Sequence, residues 1–199
     1  MIDISADRAG HSLRTLVWQA LRGYRTELLY QFLRDKDVVV RTIAARELQT
    51  RGTRKVYEYV SQHANDKSTV VREMSAFVLG QLGVPDHPFR EHSVPILIKL
   101  ASSDPSPSVR SAAVASLGHL RANRSLPAVV KAAQDLSADV RLSAAFALGK
   151  LKLTADAARI LRKLVRDRDS KVREWAILSL NLRRRKGKQK DATAKRPRM

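Results

Sequence analysis

The sequence predicts an all-α fold: a right-handed α-solenoid of about five helix pairs that follows an N-terminal capping helix. Three observations predict it. Five Val-Arg dipeptides recur in one common frame, at steps of 31, 38, 31 and 32 residues. Hydrophobic residues make up 44% of the 199 residues, which argues against a disordered chain, and aromatic residues make up only 5%. A period of this length indicates small helical units, each packed on its neighbours.

The frame of these five Val-Arg dipeptides is the same each time. An aspartate precedes the arginine by six positions, a small residue follows it by three, and a leucine follows it by seven. The pairs are Asp35 with Arg41, Asp66 with Arg72, Asp104 with Arg110, Asp135 with Arg141, and Asp167 with Arg173. Five copies in the same phase make the repeat a specific signal.

Residues 126–151 show the predicted helix pair most clearly. Ser125 is expected to cap the first helix, and the second is expected to begin near Asp139. Its apolar positions, spaced by four, four and three as on one helical face, are Val140, Ala144, Leu148 and Leu151. Gly149 is expected to serve as a C-cap or as a position of close packing. Applied along the chain, the pattern predicts about eleven helices.

The predicted organisation has three parts: a capping helix in residues 1–23, the repeats in residues 24–182, and a flexible basic tail in residues 183–199. The longer step of 38 residues places an insertion near residues 84–90, where two prolines and the preceding Gly83 indicate a loop. This loop is either a functional projection or a tolerated insertion.

The frame resembles the HEAT repeat. The match is most complete at Pro127, Asp135, Val140 and Arg141. The unit is shorter than in many HEAT repeats and resembles the compact class of about 31 residues, also called phycobilin-lyase-type. The resemblance extends over about residues 24–182. It implies that the repeated aspartates and arginines form an internal ladder, each arginine bridging its own aspartate and that of a neighbour. The alternative is that the five arginines contact phosphates of a ligand.

Charge is the second informative property. The chain carries 38 basic and 19 acidic residues, a net charge of +19. Residues 183–199 hold nine of the basic residues and one acid, which leaves 29 basic and 18 acidic residues, or +11, for the rest. A body with this excess attracts polyanions at long range, in a way that salt weakens.

Candidate polyanion-binding residues lie off the predicted ladder. Lys131 and Lys163 each precede a ladder arginine by ten positions, and Lys99 aligns with them if one residue is inserted. The repeat would place these lysines in a row about 10 Å apart, although they are equally well explained as ordinary solvated side chains. The further candidates are Arg159, Arg162, Arg166, Arg183, Arg184, Arg185 and Lys186.

Several classes of chemistry find no support. The chain has no cysteine, no apolar run long enough to cross a membrane, no secretory signal, no Walker A motif and no GxSxG motif. Its five histidines show no helical metal-site spacing. We therefore expect no cofactor, metal, small-molecule substrate or membrane partner. A cytoplasmic location is expected, or a nuclear one in a eukaryote.

Enzymes with HEAT-like repeats supply the remaining alternatives. Di-iron hydroxylases of this kind use repeated His-Glu pairs, which are absent. A HEAT-like glycosylase for alkylated DNA needs a carboxylate beside aromatic residues, and Glu174 with Trp175 is the candidate pair; packing in the last repeat is the favoured interpretation of Trp175. Chromophore handling, as in phycobilin lyases, gains nothing from the basic charge. The prediction is a non-enzymatic scaffold for a polyanion, with nucleic acid ahead of an acidic protein.

Overall fold

The computed structural model describes residues 14–152 and 154–194, with side chains up to residue 182. Within these ranges there are eleven α-helices, one short 3-10 turn and no β-strand, so the all-α repeat prediction is confirmed. The helices are α1 (14–22), α2 (Thr26–Phe32), α3 (Val38–Arg51), α4 (Arg54–His63), α5 (Thr69–Gln81), α6 (Arg90–Ser103), α7 (Pro107–His119), α8 (Leu126–Ala132), α9 (Ala138–Lys150), α10 (Ala155–Leu164) and α11 (Ser170–Ala194).

The chain divides into two compact units, residues 1–96 and 97–199. In the N-terminal unit α2 packs on α3, and α5 packs on both α3 and α4. Side-chain caps start two of these helices: Asp37 accepts from the backbone N–H of Val39 at 2.7 Å, and Thr53 accepts from that of Val56 at 3.3 Å. The largest buried side chains of this unit are Leu29, Leu33, Leu48, Val56, Val60, Val71, Leu79 and Leu82.

The insertion follows α5 as a series of turns. Gly83, which directly precedes the insertion, has φ +69° and donates its backbone N–H to the carbonyl oxygen of Gln49 at 2.9 Å. Gly52, at φ +57°, lies against it so closely that an added Cβ would be 2.7 Å from the Cα of Gly83. The insertion is therefore anchored to the end of α3 by a backbone contact that only glycine permits. Whether it is functional stays a prediction.

In the C-terminal unit α7, α9 and α11 lie side by side, with α8 against α9 and α10 against α11. Glycines determine how closely the second helices of neighbouring pairs approach one another. A Cβ on Gly118 would lie 2.8 Å from the Cα of Ala147, and one on Gly149 would lie 2.5 Å from the Oγ of Ser179. Gly149 lies within α9, so its role is close packing and not a C-cap.

The start of α8 differs from the sequence prediction. A 3-10 turn at Asn123–Ser125 leads directly into the helix. The hydroxyl of Ser125 donates to the carbonyl oxygen of Ala122 at 2.7 Å and makes no cap hydrogen bond. The prediction that Ser125 caps α8 is wrong because the preceding turn takes up its side chain.

All five repeated arginines make one contact in common. The Nη1 of each donates to the backbone carbonyl oxygen of the aspartate six residues earlier, at 2.7–3.0 Å. The same Nη1 also donates to the next carbonyl oxygen along the chain. The arginine thus reaches its own aspartate through the backbone. The arginine does not bind the carboxylate of its own aspartate. The Oδ1 of that carboxylate accepts the backbone N–H two residues later, at the start of the following helix.

The other edge of the guanidinium joins successive helix pairs in the C-terminal unit. Nε and Nη2 of Arg110 donate to the carboxylate of Asp135 at 2.8 and 2.9 Å. Arg141 holds Asp167 in the same way, with both distances 2.8 Å. These charge-assisted paired bonds hold the pKa of Asp135 and of Asp167 below the usual range, with the arginine hydrogen bond as the largest cause and burial opposing it.

In the N-terminal unit, the first ion pair between successive helix pairs is made by a different arginine. Nη2 of Arg34, just after α2, donates to Oδ2 of Asp66 at 2.7 Å. Arg41, the arginine expected there, binds the carbonyl oxygens of Asp35 and Lys36, and its buried Nε has no hydrogen-bond partner among the described residues. The expected link from Arg41 to the next aspartate is therefore wrong, because Arg34 takes up the carboxylate oxygen.

We expect Asp167→Asn to destabilise the protein by about 2–4 kcal/mol at pH 7, since it leaves Arg141 without its carboxylate. The pKa of Asp167 is lowered by folding, so its contribution is present above the unfolded pKa of about 3.9 and is lost as pH falls through the folded value. Urea unfolding of both proteins from pH 7 to pH 2.5 should show the difference shrinking towards acid. Asp156→Asn, which removes an exposed pair with Arg159, is the control and should change little. A pH-independent difference would contradict the role of the Asp167 carboxylate.

We expect Gly149→Ala to destabilise the protein by about 1–3 kcal/mol, because the new methyl group must displace Ser179 and α11. Helix propensity alone would favour alanine by about 1 kcal/mol. Gly23→Ala is the matched control, since its added Cβ would meet nothing nearer than 3.7 Å. Thermal and urea unfolding of both variants measure the effect, and equal stabilities would rule out the close contact.

Candidate polyanion-binding cleft

The C-terminal unit contains an open cleft of about 880 Å³. It lies between α10 with the turn that follows it and the turn that follows α8. The lining residues are Gln134, Asp135, Leu136, Arg141, Arg159, Ile160, Arg162, Lys163, Leu164, Arg166, Asp167 and Arg168. Six of these are cations and two are carboxylates.

Both carboxylates of the cleft are already neutralised. Asp135 is held by Arg110, and Asp167 by Arg141. Three exposed cations, Arg162, Lys163 and Arg166, have no carboxylate partner among the residues that the structure describes. The electrostatic field of the cleft is therefore positive.

The amphipathic pattern of α10 places Arg162 and Lys163 on the exposed face of the helix. Thr154 caps the helix by accepting the backbone N–H of Ala157 at 3.1 Å. Its apolar residues Ala157, Ile160, Leu161 and Leu164 are buried, which leaves the opposite face to the cations. Arg159 on this face pairs with Asp156 at 3.1 Å, one turn earlier, and both side chains remain exposed.

The turn after α8 supplies the opposite wall. The carbonyl oxygen of Leu136 accepts Nη1 of Arg141 at 3.0 Å and Nη2 of Arg168 at 3.1 Å. These bonds fix the backbone, while the Leu136 side chain is 88% exposed. The cleft therefore offers an apolar contact beside its cations.

The structure brings together four of the predicted residues, Arg159, Arg162, Lys163 and Arg166. Lys99 on α6 and Lys131 on α8 are exposed but do not line the cleft, so the predicted row contributes only Lys163 to it. The backbone of Arg183, Arg184, Arg185 and Lys186 continues α11, which extends to Ala194 in place of the expected flexible segment. Their side chains, and all of residues 195–199, lie outside the described residues.

Sequence reasoning missed Arg168 and Leu136. Both follow a ladder aspartate directly, and this position is basic in three of the five repeats, at Lys36, Lys67 and Arg168. The periodicity could therefore have drawn attention to it.

The ladder arginine in the cleft is already bound: Nε and Nη2 of Arg141 hold Asp167, and its Nη1 holds two carbonyl oxygens.

The residues considered for enzymatic chemistry lie elsewhere. Trp175 is 37% exposed and contacts Phe146 edge to face, with ring centroids 5.6 Å apart. Neither Trp175 nor Glu174 is among the described residues that line the cleft. In the part of the chain that the structure describes, no three His, Asp or Glu side chains form a group that could hold a metal. No helix in the described ranges is long and apolar enough to cross a membrane.

Known proteins with similar sequences share this architecture. Protein YibA of Escherichia coli strain K12 is 29% identical over 164 residues, which are 77% of this chain and 56% of that protein. The chain thus spans little more than half the length of this relative. The X-ray structure of YibA aligns with a TM-score of 0.74 and 26% identity, over 84% of this chain and 62% of that one.

The fold also matches the complex of CpcE and CpcF of phycocyanin lyase from Nostoc sp. PCC7120, with a TM-score of 0.65 and 20% identity over 78% of this chain and 97% of that one. A designed armadillo repeat protein in complex with the peptide (KR)4 aligns with a TM-score of 0.53 and 16% identity, over 86% of this chain and 92% of that one. Residues 94–181 match the sequence profile of HEAT repeats. Together with the repeated helix pairs, these matches show that the chain is similar to HEAT-like repeat proteins and has a fold of stacked helical repeats.

Proposed function

We propose that this HEAT-like chain is a non-enzymatic scaffold that binds a polyanion in the cleft of its C-terminal unit, with nucleic acid as the preferred partner. The observation that carries the proposal is the unbalanced charge of the cleft. Its two carboxylates are bound by Arg110 and Arg141, whereas Arg162, Lys163 and Arg166 remain exposed and without a carboxylate partner among the described residues.

The spacing of the cations suits a repeated anion. Arg159 and Arg162 on α10 and Arg166 in the turn after it follow one another at intervals of three and four residues, so they form a stripe about 10 Å long. Each strand of duplex DNA carries a phosphate about every 3.4 Å along the axis. The stripe can therefore contact several phosphates of one strand, and guanidinium groups bind phosphate oxygens in pairs.

The basic residues at the C-terminal end of the sequence support the same partner. Residues 183–199 contribute nine basic residues and one acid, and the rest of the chain carries a further +11. Long-range attraction of this strength raises the association rate with nucleic acid even where it gives no sequence specificity. The cleft supplies the local site and the remaining charge brings the polyanion to it.

An acidic protein is the second candidate. The neighbouring structures favour it: one is a complex of two repeat proteins, and another is a designed repeat protein bound to a basic peptide. The exposed Leu136 at the cleft provides the apolar contact that protein partners use. Because the cleft of this chain is cationic, the corresponding peptide would be acidic.

We expect the double variant Arg162→Glu with Arg166→Glu to bind nucleic acid at least tenfold more weakly than the wild type. It should also reduce the slope of log affinity against log salt by about two, since two phosphate contacts are lost. Fluorescence anisotropy with labelled single-stranded and duplex oligonucleotides at 50 and 300 mM salt measures both quantities.

The matched control changes the same charge outside the cleft. Arg54→Glu with Lys55→Glu replaces two exposed cations of α4 and should weaken binding far less. Equal losses in the two double variants would show that total charge, and not the cleft, determines binding. If the wild type binds poly-glutamate more tightly than either oligonucleotide and loses it in the cleft variant, the partner is an acidic protein.

A further inference from the structure

Aromatic side chains lie together on the exposed face of the second helices in the C-terminal unit. The rings of His119 in α7 and Phe146 in α9 have centroids 4.9 Å apart, and those of Phe146 and Trp175 in α11 have centroids 5.6 Å apart. His119 and Trp175 are exposed, and Phe146 is half-buried. We call these three residues the aromatic row. Phe, Trp and Tyr make up only 5% of the chain, so composition alone does not explain a row of rings across three neighbouring helices.

The exposure of this face does not depend on the end of the array. α9 has a second helix on each side, α7 and α11. Leu142 and Phe146 of α9 are nevertheless only half-buried, and Lys150 is exposed. The packing of one second helix on the next therefore leaves this face uncovered, and a helix pair stacked beyond α11 would add a neighbour to α11 and not to α9.

Cations surround one end of the same face. The last turns of α7 and α9 are in contact, where Gly118 lies against Ala147. The turns that follow these helices are joined by Asn123, whose side-chain oxygen accepts the backbone N–H of Lys152 at 2.7 Å. Neither residues 119–134 nor residues 140–155 include an acidic residue, so this end of the face is positively charged. The exposed cations of these helix ends and turns are Arg121, Arg124, Lys150 and Lys152.

Lys150 connects the cations with the aromatic row. Its Nζ lies 5.5 Å from the centroid of the Phe146 ring. A cation–π contact at an exposed site is weak, so the ammonium group can leave the ring for an anion. The acidic Glu174 precedes Trp175, at the opposite end of the row from His119. An anion is therefore favoured on the side of His119 and Lys150.

We propose that the aromatic row stacks on the bases of a single-stranded nucleic acid, whose phosphates contact the cations at the ends of α7 and α9. Proteins that bind single strands combine these two elements, rings for the bases and cations for the backbone. A duplex offers its phosphates but keeps its base faces in the stack, and an acidic peptide would satisfy the cations alone. The inference rests on the proposed function and deepens it by naming the single strand as the partner. No residue of the row lines the cleft.

The dimensions fit a short run of nucleotides. The two centroid distances make the row roughly 10 Å long. Successive nucleotides of a stacked strand are about 3.4 Å apart along the axis, so about two or three bases would cover the row.

Tryptophan fluorescence tests the contact, because the two tryptophans of the chain can be observed separately. Trp18→Phe leaves Trp175 as the reporter, and Trp175→Phe leaves Trp18. The two reporters are matched, since Trp18 is 41% exposed and Trp175 is 37% exposed. Saturation with an oligothymidylate of about twelve nucleotides should lower the emission of Trp175 by about a third or more through base stacking, and leave that of Trp18 nearly unchanged.

A second experiment separates base stacking from phosphate binding. Phe146→Leu removes the central ring and keeps an apolar side chain. We expect it to weaken oligothymidylate binding about fivefold or more in fluorescence anisotropy, while binding of an abasic strand of the same length stays within about twofold of the wild type. Unchanged abasic binding, together with an unchanged circular dichroism spectrum, shows that the variant is folded.

Phe77→Leu is the matched control. Phe77 is also half-buried and also lies five residues after its ladder arginine, but in α5 of the N-terminal unit. This variant should change the binding of either strand by less than about twofold, because its ring lies outside the aromatic row.

Three results would overturn the proposal. The first is emission from Trp175 that falls no more than emission from Trp18. The second is Phe146→Leu weakening oligothymidylate binding no more than Phe77→Leu does, or weakening abasic binding equally. The third is poly-glutamate lowering Trp175 emission as strongly as oligothymidylate, since the occupant would then be an acidic protein.

Failure of the aromatic row is distinguishable from failure of the proposed function. If the row fails but Arg162→Glu with Arg166→Glu still abolishes oligonucleotide binding, the cleft is supported and only the stacking site is lost. A wild-type protein that binds no oligonucleotide at 50 mM salt overturns both proposals.

Discussion

The contact between an arginine and the aspartate of the next helix pair determines both the packing and the chemistry of the C-terminal unit. Arg141 uses one edge of its guanidinium for two backbone carbonyl oxygens and the other for the carboxylate of Asp167. The first edge fixes the turn from which Leu136 projects, and the second fixes the turn that carries Arg168. The two walls of the cleft are therefore positioned by one side chain, and its carboxylate is neutralised in the same contact.

The repeat predicts most of the fold because its period encodes contacts between neighbours. The number of helices followed from spacing alone, whereas spacing left Gly149 as either a C-cap or a position of close packing, and the structure shows close packing. The ion pair at Asp66 could not be predicted from spacing. Arg34 and Arg41 both belong to the adjacent helix pair, and only their geometry decides which one binds the carboxylate. The cap at Ser125 failed for a similar reason: a turn of three residues redirected its hydroxyl.

The candidate site was predictable where it depends on one helix and not where it depends on two. Arg159, Arg162 and Lys163 share the exposed face of α10, which the sequence pattern shows directly. Lys131 has the same phase as Lys163 but lies outside the cleft, since equal spacing places residues on equivalent faces without giving them equivalent surroundings. Leu136 enters the cleft from a separate turn, and no periodicity within α10 could indicate it.

The ladder also explains how the helix pairs of the C-terminal unit pack closely in a chain of such high charge. An arginine that binds a carboxylate with two bonds adds no net charge to its surroundings, so Arg110 and Arg141 join helix pairs without repulsion. Arg162 and Lys163 of α10 lack this compensation and repel one another, a cost that the buried apolar face of the helix offsets. Where natural sequences depart from favourable local interactions, they usually do so at functional sites. On this argument the uncompensated charges of the cleft are the positions at which we expect the protein to contact a partner, whereas the paired arginines maintain the fold.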